Sequence, residues 1–148
     1  MRVAEVMTQD PACSTPDSTL QRVAEMMVEH DCGEIPVVEN MAGMIPIGVI
    51  TDRDITCRTV AKGLNPLTMT VSECMTQPCI TVTPDTPIEE CCRIMEEKQI
   101  RRVPVVDESG ACCGIVALAD ITKYAAEPEA GELIKEVSEP SRSASASG

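Results

Sequence analysis

The feature that most constrains this 148-residue chain is that it is written twice. Met7-Thr8-Gln9 returns as Met75-Thr76-Gln77, a shift of 68, and at that shift Thr15-Pro16-Asp17 matches Thr83-Pro84-Asp85 and Ile35-Pro36-Val37-Val38 matches Val103-Pro104-Val105-Val106. Eleven residues between positions 7 and 38 are identical in the two copies. The shift then falls to 66, where Gly48-Val49-Ile50 matches Gly114-Ile115-Val116, so the first copy has a loop two residues longer. One supersecondary unit is therefore used twice, and the length suits two small units sharing one domain's worth of core.

Each copy predicts the same elements. Ser18-Thr19-Leu20-Gln21 and Thr86-Pro87-Ile88-Glu89 have the form of capping boxes, so a helix is expected to begin at each. Leu20, Val23, Ala24, Met27 and Val28, and in the second copy Ile88, Cys91, Cys92 and Met95, recur at intervals of three and four. That spacing makes one buried stripe per helix. β-branched runs at 35–39, 46–51, 103–107 and 112–117 predict strand pairs, and short strands are expected at 12–14 and 80–82. A second helix starts near Asp52 and near Ala119. The expected unit is β-α-β-β-α in an α+β fold: repeat one over 1–62, a linker over 63–73, repeat two over 74–126, and an acidic to Ser/Ala-rich tail over 127–148 too poor in apolar residues to fold alone.

Composition narrows the function classes. Twelve Lys and Arg against twenty-four Asp and Glu give a net charge of −12, the wrong sign for neutralising phosphates on nucleic acid or coating an anionic membrane. Tyr124 is the sole aromatic residue, so base-stacking platforms are absent. Fifteen Val and twelve Ile against five Leu favour strands, with nine Met and nine Cys as adaptable filling. No apolar run reaches the roughly 18 residues of a membrane span and the N-terminus lacks an apolar leader stretch, so a cytoplasmic protein with reduced thiols is expected. Cys74 and Cys79 lack metal-site spacing and His30 stands alone, so no metal is expected. With one histidine and no glycine-rich phosphate loop, catalytic machinery is not visible either.

The ordered pattern of Met-Thr, Thr-Pro-Asp, amphipathic helix, (Ile/Val)-Pro-Val-Val and a Gly followed by two apolar residues and, six positions on, an Asp, present twice over about residues 3 to 125, resembles a tandem pair of CBS domains, the Bateman module. Gly48 to Ile55 with Val60 to Pro66 is similar to the stand-alone bacterial pairs. The resemblance implies two repeats packed with pseudo-twofold symmetry, a cleft between them that binds an adenosine derivative, and homodimerisation into a disk that reports to an unidentified protein partner.

The resemblance also implies site residues. Its ribose motif is a Thr or Ser three residues before an Asp; a carboxylate accepts from both ribose hydroxyls at roughly 1.5 to 3 kcal/mol per charge-assisted bond. Thr51 and Asp54 match in the first copy, though the same pair also serves as an ordinary helix cap. Ala117 and Asp120 stand there in the second, without the hydroxyl. The phosphate position holds Arg101-Arg102 in the second copy and Gly33-Glu34 in the first, where Arg53 is the substitute cation. Ala12, Cys32, Ile35, Ile80, Ile100 and Val103 are the candidates to face adenine. AMP, ADP, ATP, NAD and S-adenosylmethionine are the ligands to consider, and two or three arginines favour AMP. The competing expectation is an interaction protein with an empty cleft, regulated by dimerisation or by thiol oxidation, with Cys32, Cys112 and Cys113 as candidate thiols.

Overall fold

The computed structural model describes residues 1–124. Its order is β1 (Thr8–Gln9), α1 (Leu20–His30), β2 (Glu34–Val38), β3 (Pro46–Thr51), α2 (Asp52–Arg58), α3 (Ile88–Lys98), β4 (Arg102–Val106), β5 (Cys112–Ala117) and α4 (Leu118–Tyr124), with short 3₁₀ turns at Val3–Glu5, Val60–Lys62, Pro66–Thr68 and Val71–Glu73. The α+β class follows the sequence pattern, and the four long strands lie within one residue of their expected spans. The expected tail over 127–148 lies outside the described residues.

Two compact units result, and they exchange segments relative to the repeats. One comprises Met1–Asp10, Thr81–Ser109 and the described residues from Cys113 on; the other comprises Pro11–Ile80 with Gly110–Cys112.

In the unit built on the second copy, the sheet order is β1-β5-β4. Thr8 pairs antiparallel with Ile115 and Gln9 with Gly114. Its core is Val3, Val82, Ile88, Cys91, Cys92, Met95, Val103, Val105, Val116 and Ile121. Val3 sits there because the N-terminal segment docks on the start of α3: Val3 N donates to Thr86 O at 2.9 Å and Ile88 N to Met1 O at 3.0 Å.

In the unit built on the first copy, β2 and β3 pair antiparallel from Glu34 opposite Thr51 to Val37 opposite Gly48. The core is Leu20, Val23, Met27, Ile35, Val37, Ile50, Val71 and Cys74. The stretch expected to link the repeats, 63–73, carries Pro66–Thr68 and Val71–Glu73 and repeats the N-terminal docking 68 residues on: Leu20 N donates to Met69 O at 3.0 Å and Val71 N to Ser18 O at 2.9 Å. Val71 thus does for α1 what Val3 does for α3, and both are fully buried.

Three local expectations are corrected. The cap of α1 is Thr19, whose hydroxyl accepts from Arg22 N at 3.1 Å, while Ser18 turns back to Thr15. At α3 the N-cap is Pro87, and the Thr86 hydroxyl accepts from Thr83 N instead. In both cases a turn closed on the preceding Thr-Pro-Asp competes for the first hydroxyl. Ala24 and Val28 leave the buried stripe of α1, Val28 being 83% exposed, because the face is only as wide as Leu20, Val23 and Met27 with Met26 at its edge. The short strands expected at 12–14 and 80–82 reduce to single parallel bridges, Ser14 with Val37 and Val82 with Val105.

Candidate functional site

Thr51 ends β3 and caps α2. Its hydroxyl accepts from Asp54 N at 2.9 Å, and Asp54 Oδ2 accepts from Thr51 N at 3.1 Å, a reciprocal capping box. The three-residue spacing read from the sequence as a ribose motif is thus also the spacing that closes a helix start. Asp54 is 12% exposed and has further partners: Thr76 Oγ1 donates to both carboxylate oxygens at 3.2 Å, and Arg58 Nη2 lies 3.8 Å from Oδ1. Arg58 Nη1 in turn donates to Cys74 O and Met75 O, each at 2.8 Å. A carboxylate has about four acceptor directions, and this one is largely spent within the protein.

Thr76 and Arg58 were not among the expected site residues. The signal for Thr76 was present, since Met75-Thr76-Gln77 repeats Met7-Thr8-Gln9 without change, but nothing local says that its hydroxyl meets a carboxylate 22 residues away. Gly48 makes this approach possible: a Cβ there would stand 2.5 Å from Thr76 O, while Val49 and Thr76 exchange backbone bonds of 3.0 and 2.8 Å.

Arg53 is exposed, as is Asp52, whose Oδ1 accepts from Arg53 N at 2.8 Å. Asp52 N donates to Gly33 O at 2.9 Å, and the Asp52 carboxylate lies so close to Gly33 that a Cβ there would be 2.9 Å from it. The first-copy corner therefore brings Thr51, Asp52, Asp54, Gly33 and Glu34 together, a mainly acidic arrangement. Ile35 is core; Ala12 and Cys32 are half-buried against that core, and Ile80 is half-buried.

The second-copy corner has the same backbone and different chemistry. Leu118 N donates to Arg101 O at 2.8 Å, the equivalent of Asp52 N to Gly33 O. Asp120 Oδ2 accepts from Ala117 N at 3.2 Å, repeating half of the Thr51–Asp54 box with the hydroxyl missing. Arg101 and Arg102 are half-buried at the start of β4, Val103 is fully buried, and Ile100 packs at the edge of the core. The Arg101 backbone and the Asp120 carboxylate are thus tied to one strand-to-helix corner here. Among the described residues no three His, Cys, Asp or Glu side chains gather to hold a metal ion, and no helix is long and apolar enough to cross a membrane.

The model of the CBS domain family matches this chain twice, at residues 3–58 and 71–127. An uncharacterized protein of Methanopyrus kandleri is 38% identical over 119 residues, 80% of this chain and 60% of that protein, so this chain spans less than two thirds of that relative's length. Hypoxic response protein 1 of Mycobacterium tuberculosis is 34% identical over 136 residues, covering 92% of this chain and 93% of its own. Among solved structures, the CBS domain pair of protein MJ0100, in complex with 5′-methylthioadenosine and S-adenosyl-L-methionine, superposes with a TM-score of 0.76 at 26% identity over 86% of this chain and 98% of that one.

Proposed function

The chain belongs to the CBS domain family, and on that premise we propose that it is a regulatory module that binds, and does not transform, an adenosine-type ligand of low charge. The observation that supports this reading is the 2.8 Å bond from Leu118 N to Arg101 O, which ties the Arg101 backbone to the start of the helix that carries Asp120. Asp120 would accept from the ribose hydroxyls while Arg101 and Arg102 meet one or two phosphate charges. In the first-copy corner the Asp54 carboxylate already serves Thr51, Thr76 and Arg58, and we read it as structural. The methylthioadenosine and S-adenosylmethionine held by the MJ0100 pair support the ligand class, both being adenosine derivatives without a triphosphate.

A net charge of −12 disfavours a tetra-anionic ligand, although screening over roughly 8 Å at physiological salt leaves the local arginines to decide. The ligand preference is therefore AMP over magnesium-free ATP. Thermal shift against AMP, ADP, ATP, NAD and S-adenosylmethionine tests the class, because ligand at 100 times its Kd adds about 2.7 kcal/mol of stability. Calorimetry then tests the site: Asp120→Ala is expected to abolish most AMP affinity, and Arg102→Ala to weaken AMP more than adenosine. No shift with any of the five, or ATP binding well above AMP, overturns the reading. The module is further proposed to act as a homodimer that presents its ligand state to a protein partner in the cytoplasm.

A further inference from the structure

Cys13 and Cys112 lie at opposite ends of the sequence and meet in a small buried cluster of their own with Val38, edged by Met44. Backbone bonds hold both in place. Ser14 N donates to Pro36 O and Val38 N to Ser14 O, at 3.0 and 2.8 Å, while Cys112 N donates to Met44 O at 2.8 Å. The two side chains share that buried cluster, and Cys13 Sγ donates to Pro11 O at 3.4 Å. A disulfide, with its S–S bond of roughly 2.05 Å, needs two cysteines brought to one place in this way.

Of the other cysteines, half-buried Cys79 is near enough for its charge to act on Cys13 and to feel that of Cys112, and the rest are placed elsewhere. Cys112 and Cys113 are neighbours on β5, so their side chains leave opposite faces, and Cys113 packs against the second-copy core. Cys91 and Cys92 are consecutive in α3 and diverge around the helix. Cys74 belongs to the first-copy core, and Cys57 is exposed.

We propose that Cys13 and Cys112 are an oxidation site, closing to a disulfide when a hydroperoxide reaches the cluster. Cys112 and burial both hold the proton on Cys13, raising its pKa, so Cys13 is assigned the resolving role and Cys112 the attacking sulfur. The Cys112 thiolate attacks the peroxide, the O–O bond breaks, and Cys112 sulfenic acid forms as hydroxide leaves and takes a proton to become water. Cys13 sulfur then attacks the sulfenic sulfur; the S–S bond forms, the S–O bond breaks, and a second water departs with the Cys13 proton. Two thiols are oxidised by two electrons and one hydrogen peroxide is reduced to two waters. With both sulfurs buried, a small oxidant enters where a bulky disulfide reagent does not.

The test uses the full reduced chain, treated with hydrogen peroxide, blocked with N-ethylmaleimide under denaturation, and digested with trypsin without reduction. Mass spectrometry is expected to find peptide 3–22 joined to peptide 103–123, with fragmentation placing the link on Cys112. Cys113→Ser keeps the link and Cys112→Ser loses it. Recovery of both Cys13 and Cys112 as maleimide adducts after exposed Cys57 has been oxidised, or Cys13 linked to any other cysteine, overturns the proposal; the wild-type map alone decides this if a variant does not fold.

Discussion

The Thr76 hydroxyl donates to both oxygens of the Asp54 carboxylate at 3.2 Å, joining two residues that neighbouring sequence does not connect. Asp54 also belongs to the capping box of α2, so the carboxylate holds three pieces of the first-copy unit together: the end of β3, the helix, and the segment after Val71–Glu73. Removing the hydroxyl leaves a nearly buried carboxylate one donor short. Thr76→Val is expected to destabilise by about 1.5 kcal/mol, the loss of one bond to a charged group. Asp54→Ala is expected to cost at least as much, since it also dismantles the cap. Urea unfolding of both variants checks this, and Thr76→Ser, which keeps the donor, should recover most of the loss.

Val3 and Val71 occupy equivalent places in the two units, each fully buried beneath the start of a helix that lies elsewhere in the sequence. Each Val→Ala removes about two methylenes' worth of burial, about 1.5 kcal/mol, plus a cavity contribution, giving roughly 2 to 3 kcal/mol. The spectroscopic signature separates them. In heteronuclear NMR, Val71→Ala should perturb the amides of Leu20 and Val23, and Val3→Ala those of Ile88 and Cys91. Perturbation of each residue's own sequence repeat instead would contradict the exchanged segments.

Burial of the Cys79 and Cys91 thiols pushes each up from an ordinary 9.0 to about 12, and that of Cys92 to about 11. The folded chain keeps protons that the unfolded chain gives up. Stability carried by these thiols is therefore fully present below about pH 9 and falls as pH rises towards 11 and 12. Each group contributes a slope of at most about 1.4 kcal/mol per pH unit within that window. Denaturant midpoints at pH 7 to 8 are expected to be level with respect to these groups and to drop above 9. Cys91→Ala should flatten the fall even if it lowers the midpoint throughout.

The proposed homodimer has exposed apolar residues to draw on. Val60, Leu64 and Leu67 are 62%, 48% and 64% exposed, and Ala61 lies exposed among them, whereas Ile55 is half-buried. Ile121 on α4, by contrast, is core at 2% exposure. Exposed apolar side chains this close in sequence favour burial against a second copy. Light scattering at micromolar concentration is expected to give a dimer, and Leu67→Glu a monomer of unchanged melting temperature at low concentration. A wild-type monomer would remove this face from consideration.

The sequence by itself determined what depends on near neighbours. The doubled pattern revealed one unit used twice, β-branched runs marked the strands to within a residue, and the Thr51–Asp54 spacing marked the corner where β3 meets α2. Periodicity and capping are local, and they are written in consecutive side chains. Only the tertiary structure decided that Val3 joins the second copy's core and Val71 the first's, since both segments carry the same local signal and nothing in either says which helix it will cover. The same holds for the two carboxylates. Asp54 and Asp120 occupy matching places in the repeat, yet Thr76 and Arg58 engage the first, while the second lies at a helix start tied to the backbone of Arg101. That difference arises because a carboxylate's role is set by the donors and charges that long-range folding brings within about 4 Å, where its few acceptor directions are filled.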